Sequence, residues 1–256
     1  MQTPKLLGFI FLAITFIFST CERFTFPDSD PSNYGKLSVT GKKKLKKIIK
    51  DDTLITELIY DPSGNVTEIK HYNNSGDVSS EKLEYNDKGQ LIQRSYWGNL
   101  KDHYIYKNGK LSEMYTENTL NPEYEYRLVY QYKGDRISRA EAFSRGKLLG
   151  LIVFEYDNKG NTVVRSEKYK TVEISAYRYT YDNKVNPFHF PGQSPIDMIQ
   201  RNNPVKSYVS NVLFSHIPQE ITTKYTYDTN GNPLTSFSYI TEKQDVIINR
   251  LKYIYE

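Results

Sequence analysis

Residues 225–232, which read YTYDTNGN, contain the pattern that decides the fold of this 256-residue chain. Tyr225 and Tyr227 occupy alternate positions, so their rings share one face of an extended segment, as in a half-buried strand. Asp228 can accept hydrogen bonds from backbone groups two residues further on, and Gly231 supplies the positive φ that closes a tight turn. The stretch therefore predicts a strand, a turn and an antiparallel neighbour.

Tyrosines that directly precede a turn recur along the chain, and internal repeats of this kind define an architecture. Residues 60–65 (YDPSGN) and 156–161 (YDNKGN) are near copies of the opening stretch. The full series, which ends near the C-terminus, is Tyr60, Tyr85, Tyr106, Tyr132, Tyr156, Tyr181, Tyr227 and Tyr255. Successive members are 21 to 28 residues apart, except for one gap of 46 residues. That gap indicates a unit that has been replaced or has lost its signature.

The repeat predicts an all-β fold, a long antiparallel meander of repeated β-hairpins with about fifteen strands. The 23 Tyr and 12 Phe are too many aromatic residues for a disordered chain. Residues 43–50 are compatible with a basic surface helix or with the first strand. The strand is favoured, because eight residues are short for an independent helix and a turn-like Asp51-Asp52 pair follows.

Residues 1–20 are predicted to be an export signal. Lys5 provides a basic start, and residues 6–18 form a nearly unbroken apolar run without charge. As a helix this run spans roughly 20 Å, which is shorter than the ~30 Å hydrocarbon core of a bilayer. The length therefore fits a lipoprotein or secretory signal peptide better than a spanning helix.

Cys21 is the only cysteine of the chain and follows the signal directly. Residues 18–21 (FSTC) resemble a relaxed bacterial lipobox, in which the cysteine becomes a lipidated N-terminus. We therefore predict lipidation of Cys21 and a membrane as partner through the N-terminal lipid; the alternative is a secreted protein in which Cys21 is incidental. Residues 21–40 are predicted to be a flexible tether, and residues 41–256 the β-hairpin repeat domain.

Residues 182–218 depart from the repeat and are predicted to be an insertion. Ser194 and Pro195 suit the cap and first turn of one short helix that would end near Arg201. Two roles are open for this insertion. It covers core aromatic residues at one end of the sheet, which we favour, or it carries a binding surface, as insertions on repeat arrays often do.

No catalytic constellation and no metal or cofactor site is found in the sequence. The histidines have no second His or Cys at close ligand spacing; they are His71, His103, His189 and His216. A single cysteine excludes an internal disulfide. The net charge of +4 arises from 34 basic and 30 acidic residues, a mixed surface that argues against a nucleic-acid partner.

The Tyr-Asp-x-x-Gly-Asn turns resemble the YD repeats of RHS-type proteins. A fuller resemblance, over roughly residues 40–256, is to Bacteroidota lipoproteins of unknown function with a porin-like β fold (the DUF4595 type). It rests on Cys21 and on residues 179–188 (YTYDNKVNPF), 202–204 (NNP) and 225–233 (YTYDTNGNP). The resemblance implies a meander that curls into a barrel or half-barrel, and it implies no catalytic residues.

Charged side chains recur at alternating strand positions, whereas a membrane-spanning barrel needs an outward band with almost no charge. The charged positions are Glu84, Arg94, Glu113, Glu141, Arg165, Glu167 and Lys168. We therefore expect a water-soluble body held by lipid at the outer membrane, periplasmic or surface-exposed. The expected function is a non-enzymatic binding module for a glycan or protein partner. The alternatives are a structural or assembly lipoprotein with no small ligand, and a glycan hydrolase whose carboxylates meet only in the fold.

Overall fold

The computed structural model describes residues 43–96, 99–118, 120, 125–188, 200–211 and 215–256. Sixteen antiparallel strands form one closed barrel, in which each strand pairs with its neighbours in sequence and the first pairs with the last. The predicted all-β meander is confirmed, with sixteen strands instead of about fifteen and with full closure. No α-helix, and so none that could cross a membrane, occurs among the described residues. Most of the helix predicted from Pro195 lies outside them.

The strands are 6 to 14 residues long and follow one another in sequence order around the barrel. The first eight are β1 (Leu45–Lys50), β2 (Thr53–Tyr60), β3 (Val66–Tyr72), β4 (Val78–Tyr85), β5 (Leu91–Tyr96), β6 (Leu100–Lys107), β7 (Lys110–Asn118) and β8 (Tyr126–Lys133). The second eight are β9 (Arg136–Ser144), β10 (Lys147–Tyr156), β11 (Thr162–Tyr169), β12 (Val172–Val185), β13 (Asn202–Asn211), β14 (Ser215–Tyr227), β15 (Pro233–Ile240) and β16 (Lys243–Tyr255).

Turns alternate between the two ends of the barrel. The turns after even-numbered strands follow the repeated tyrosines, and we call this end the tyrosine end. The turns after odd-numbered strands lie at the opposite end, the far end. The segment that was compatible with a helix or a strand forms β1, which starts at the tyrosine end and pairs with β2 and β16.

The repeated turn sequence acts through its aspartate, its glycine and its final asparagine. Between β10 and β11, the Asp157 carboxylate accepts a hydrogen bond from the Asn161 backbone N–H and another from its side-chain amide, both at 2.8 Å. Gly160 has a φ of +92°, which other residues rarely adopt. Asp61 and Asp228 make the corresponding bonds in their own turns. The motif therefore encodes a hydrogen-bonded turn, as the sequence predicts.

A ring of eight tyrosines surrounds the tyrosine end, and each hydroxyl donates to a backbone carbonyl near the start of the preceding odd-numbered strand at 2.5 to 3.3 Å. We call these residues the tyrosine collar; they are Tyr60, Tyr85, Tyr106, Tyr132, Tyr156, Tyr181, Tyr225 and Tyr255. In the seventh hairpin the collar residue is Tyr225, because the turn tyrosine Tyr227 donates to Asp182 instead. The collar thus joins every hairpin to the strand before it.

A β-bulge accompanies each turn tyrosine and decides which residues face inward. Tyr85 pairs with Leu91, whereas Glu84 pairs with Gln93, so one residue of β5 is skipped. The next inward residue after Leu91 is therefore Arg94. Equivalent register shifts occur beside the turn tyrosine of every hairpin. Bulges of this kind increase strand twist and are common at barrel rims.

The hydrophobic core lies inside the barrel against the tyrosine collar. Its outermost layer consists of the first inward residue of the odd-numbered strands. Five of these residues are at most 3% exposed: Leu45, Val66, Leu91, Leu111 and Ile137. Burial of an aliphatic side chain stabilises a fold by about 1.5–3 kcal/mol. This layer is therefore a main source of stability, and it fills the tyrosine end with apolar side chains.

The gap in the repeat results from an enlarged turn. Asn203 donates to the Asp182 carboxylate from its backbone N–H and from its side-chain amide, both at 3.1 Å. The final asparagine of an ordinary turn makes the same two bonds, so this turn has the usual end points with extra residues between them. Strand β13 and the first four residues of β14 fall within the predicted insertion 182–218, so the segment that separates β12 from β13 is residues 186–201.

The described part of this enlarged turn packs into the barrel. Phe188 is buried, and its ring meets that of Tyr253 edge-on with the centroids 5.5 Å apart. The Asn186 side-chain amide donates to the Gln200 carbonyl at 3.2 Å, and its backbone N–H donates to the Arg201 carbonyl at 3.0 Å. The enlarged turn therefore adds side chains to the core at the tyrosine end.

The outward face of the barrel carries charged pairs between neighbouring strands. Glu113 on β7 accepts hydrogen bonds from Arg127 on β8 at 2.6 Å and from Lys107 on β6 at 3.0 Å. Lys206 and Glu220 form a similar pair between β13 and β14 at 3.0 Å. Exposed pairs contribute only about 0.2–1 kcal/mol each. Their main consequence is a charged outer surface.

Candidate functional site inside the barrel

A set of polar side chains faces the barrel interior, and we call it the inner polar belt. Its members are His71, Glu81, Arg94, Asp102, Thr116, Tyr126, Arg165, Glu167 and Ser175. From Arg94 to Tyr126 each member lies directly opposite the next on the neighbouring strand. These four members therefore form a continuous path across the inner wall from β5 to β8.

Glu81 is the most strongly held carboxylate of the belt. Arg94 donates to its Oε2 from two nitrogens at 2.6 and 2.9 Å, and the His71 ring nitrogen lies 3.1 Å from its Oε1. Glu81 is only 3% exposed. Burial acts to raise the pKa of Glu81, but the Arg94 charge and the His71 hydrogen bond outweigh it and lower the pKa to about 2. Glu81 is therefore ionised at neutral pH.

The pKa of Asp102 on β6 is shifted in the opposite direction from that of Glu81. Burial raises the pKa of this carboxyl, and the hydrogen bond from Thr116 and the charge of Arg94 offset the shift only in part. The Thr116 hydroxyl donates to Asp102 Oδ1 at 2.6 Å. Tyr96 also forms a hydrogen bond with this carboxyl, which contributes to the raised pKa of the tyrosine after burial. Two neighbouring carboxyls, Glu81 and Asp102, thus differ in their preference for a proton.

The second half of the belt centres on Glu167. Arg165 donates to Glu167 Oε1 at 2.6 Å, and its guanidinium lies 5.4 Å from the centroid of the Tyr177 ring. Burial raises the pKa of Glu167, and the Arg165 charge offsets this in part. Ser175 lies directly opposite Glu167 on β12 and is 1% exposed. Its hydroxyl has no hydrogen-bond partner among the described residues. A buried hydroxyl of this kind marks a place where a water molecule, an ion or a ligand is expected.

Tyr126 connects the two halves of the belt. Burial raises the pKa of its hydroxyl, and the charges of Glu167 and Asp102 act in the same direction, so both carboxyls lie near this ring. Tyr126 nevertheless keeps part of its accessible surface. Tyr126 is the first residue of β8, so this accessible part lies toward the far end of the barrel.

The belt presents the two complementary hydrogen-bonding functions that a hydroxyl group needs. Carboxylates such as Glu167 accept, the Arg165 guanidinium donates, and the Ser175 hydroxyl does either. No group of three or more potential metal ligands occurs among the described residues. The belt therefore contains hydrogen-bond donors and acceptors side by side.

The residues that drew attention in the sequence are distributed differently. Cys21 and His189 lie outside the described residues. His71 joins the inner polar belt through Glu81, whereas His103 lies on the outer wall, stacked on Tyr115 with a centroid distance of 4.5 Å. The belt therefore includes one of the histidines whose spacing in the sequence argued against a role as a metal ligand.

The sequence interpretation used Arg94, Arg165 and Glu167 as signs of a charged outer surface, and the structure corrects this. All three face the interior, while Glu84 on the neighbouring β4 faces outward. The bulges are the reason, since each one reverses the alternation of the residues that follow. A usable signal was present: the inward residue follows the first buried residue of an odd-numbered strand by three positions, as Arg94 follows Leu91.

The barrel is similar to solved structures from two Bacteroides species. A porin-like protein from Bacteroides uniformis aligns with a TM-score of 0.57 and 14% identity, over 83% of this chain and 95% of that chain. A porin-like protein from Bacteroides vulgatus aligns with a TM-score of 0.54 and 16% identity, over 83% and 99%. No protein-family profile and no curated protein matches the chain. The chain thus has a porin-like barrel fold, and identities this low show the fold alone.

Proposed function

We propose that this chain is an exported, lipid-anchored protein of the cell envelope whose barrel binds a hydroxyl-rich ligand, such as the end of a glycan, without chemical turnover. The export signal, Cys21 and the resemblance to Bacteroidota lipoproteins of the DUF4595 type support the address. The fold shared with porin-like Bacteroides proteins agrees with it. The main observation in support of such a ligand is the Ser175 hydroxyl, which is buried without a hydrogen-bond partner among the described residues and lies opposite Glu167.

A sugar hydroxyl fits this position because it donates and accepts at the same time. Donation to the Glu167 carboxyl and acceptance from Ser175 would complete the hydrogen bonding of the serine. Tyr126, whose pKa is raised in part by the charge of Glu167, offers an aromatic face of the kind that packs against an apolar surface with a polar edge. The charged pairs on the outer wall support a barrel that stands in water, since a lipid-facing wall needs an apolar band.

Titration calorimetry with a panel of oligosaccharides, chosen from a glycan array, tests the proposal. Glu167→Gln is expected to weaken binding several-fold or more, because an NH2 group replaces a carboxyl oxygen, and a buried polar group left without its partner costs about 1–3 kcal/mol. Ser175→Ala is expected to weaken it less. The matched control is Ser166→Ala, since Ser166 is equally buried but faces the other side of the wall. Equal weakening by Ser166→Ala, or no binding by any oligosaccharide, would reject the ligand.

The proposed lipid anchor at Cys21 is tested by a separate experiment. Replacement of Cys21 by alanine is expected to move the protein from the membrane fraction to the soluble fraction, because the attached lipid is then lost. Detergent partitioning of the two forms measures the change. Partitioning that is the same for both forms would exclude lipidation at Cys21.

A structural or assembly lipoprotein without a small ligand is the second candidate. The tyrosine collar favours it, since eight of the rings that drew attention in the sequence are committed to barrel closure. Under this function, the oligosaccharide panel shows no binding and a pull-down from native envelope recovers a stoichiometric protein complex. The two experiments therefore separate the candidates.

A further inference from the structure

The most exposed large apolar side chains among the described residues lie at the far end of the barrel. Among the described residues, the four most exposed large apolar side chains are Leu120 (73%), Val172 (61%), Leu148 (57%) and Val78 (54%). All four lie in far-end turns or at the strand ends beside them. Single exposed apolar residues are ordinary on a protein surface, but their concentration at one rim is not.

Charge divides this rim into two sectors. Exposed Arg145 and Lys147 flank the β9–β10 turn next to Leu148, and exposed Lys170 lies in the β11–β12 turn before Val172. Two exposed acids lie in the same sector, Glu125 just before β8 and Glu173 on β12, so the three basic residues still leave it positive. The exposed charged residues in the β1–β2 and β3–β4 turns are acidic: Asp51, Asp52 and Asp77. The two sectors are eight strands apart in a sixteen-stranded ring and therefore face opposite sides.

We propose that the β9–β10 and β11–β12 turns form a docking surface for an anionic lipid membrane. We call this surface the basic apolar rim; it consists of Arg145, Lys147, Leu148, Lys170 and Val172. Aliphatic side chains beside lysine and arginine are the combination that binds an interfacial protein segment to anionic lipid. The acidic sector, with Val78 at its edge, faces away from such a surface and fixes how the barrel tilts.

The lengths of the chain segments permit this contact in a protein anchored at Cys21. The residues from Cys21 to Leu45 span at most roughly 80 Å when extended. The ten residues of β10 are roughly 33 Å long at the usual strand rise. A tether that begins at the tyrosine end therefore reaches past the far end. The docking surface is independent of the proposed ligand, because it uses residues outside the inner polar belt.

Co-sedimentation with vesicles tests the proposal on the full chain. All proteins carry Cys21→Ala and thus share one N-terminal segment. Differences in sedimentation between them therefore measure the contribution of the basic apolar rim to vesicle binding. The vesicles are phosphatidylcholine alone or with one third phosphatidylglycerol. Leu148→Ser with Val172→Ser is expected to weaken partitioning into the anionic vesicles several-fold, while Val78→Ser, equally exposed on the acidic sector, leaves it unchanged. Lys147→Gln with Lys170→Gln is expected to weaken it at least about fivefold at low salt.

Unchanged circular dichroism and thermal unfolding show that the variants are folded, which their exposed positions favour. If Val78→Ser loses as much binding as Leu148→Ser with Val172→Ser, the proposal that the basic apolar rim is the docking sector is wrong. Equal partitioning into vesicles with and without phosphatidylglycerol would overturn the anionic partner. A parent chain that does not sediment with either vesicle would overturn the docking surface altogether.

Discussion

The tyrosine end and the inner polar belt use the same strands in different ways. At the tyrosine end, hairpin after hairpin repeats one contact, a tyrosine hydroxyl donated to a strand carbonyl. In the belt the contacts vary from strand to strand, since Glu81 is held by Arg94 and His71 while Asp102 is held by Thr116. The repeated contact specifies the barrel. Contacts that occur once are not needed to build a repeat, so they are where a function particular to this chain is to be sought.

Among the substitutions that test this comparison, Glu81→Gln is expected to lower the free energy of unfolding the most. It removes the carboxylate charge from a buried ion pair with Arg94, and breaking such a pair costs about 3–5 kcal/mol of unfolding free energy. Glu84→Gln is the matched control on the outer face of the same strand, with an expected cost below about 1 kcal/mol. Urea unfolding measures both. Similar losses in the two variants would contradict the inward position of Glu81.

Acid is expected to act on the belt through the same residue. The pKa of Glu81 is about 2 in the folded protein against an ordinary 4.5, so its stabilising contribution is complete above pH 4.5 and is lost as the pH falls toward 2. The maximum slope is about 1.4 kcal/mol per pH unit. Asp102 and Glu167 act with the opposite sign, because their raised pKa values favour the protonated form in the fold.

Urea midpoints between pH 2.5 and 7 check this pH dependence. Glu81→Gln is expected to lose less stability than the wild type below pH 4.5, and Glu84→Gln is expected to follow the wild type. Parallel curves for all three proteins would show that Glu81 does not carry the acid response.

The enlarged turn offers a smaller test at the tyrosine end. Asn203→Ala removes the side-chain bond to Asp182 from a position that is 1% exposed, with an expected cost of about 1–3 kcal/mol. Asn183→Ala in the same turn is the control, since Asn183 is exposed. Thermal unfolding distinguishes them. A neutral Asn203→Ala would mean that the enlarged turn is not closed by the Asp–Asn contact of the ordinary turns.

The smallest effect is expected from one collar hydroxyl. Tyr132→Phe keeps the ring and removes the 2.9 Å hydrogen bond to the Leu111 carbonyl, at a cost of about 1 kcal/mol. Tyr115→Phe on the outer wall is the control and is expected to be nearly neutral. Denaturant unfolding of the two variants gives the comparison. If Tyr115→Phe costs as much as Tyr132→Phe, the collar contact has no special role.

The tyrosine end could be predicted from the sequence because its determinants are local. Asp157, Gly160 and Asn161 form their turn within five residues, and alternating tyrosines show the strand that precedes it. The enlarged turn was harder to recognise, because its closing residue Asn203 is 21 positions away from Asp182. The sequence therefore suggested a unit that had been replaced or had lost its signature, where the structure has an enlarged turn.

The inner polar belt could not be predicted because the inward face depends on a register shift. Strict alternation from Leu91 places Gln93 inward and Arg94 outward, and a shift of one residue exchanges the two faces. The bulge beside Tyr85 makes that shift, and another beside Tyr156 does the same for the strand that carries Glu167. Within a strand the shift shows only as the three-residue spacing from Leu91 to Arg94, which simple alternation does not anticipate because the shift results from pairing with the neighbour.

Pairing of β1 with β16 has a consequence for the order of events during folding. Every other pairing joins strands that are consecutive in sequence, so it can form as soon as a hairpin or its neighbour exists. The last pairing joins residues as far apart as Lys46 and Glu256, 210 positions away. Bringing such distant segments together is entropically costly and slow. Until that seam closes, the chain is an open sheet with two unpaired edges, which are the surfaces most prone to pair with another molecule.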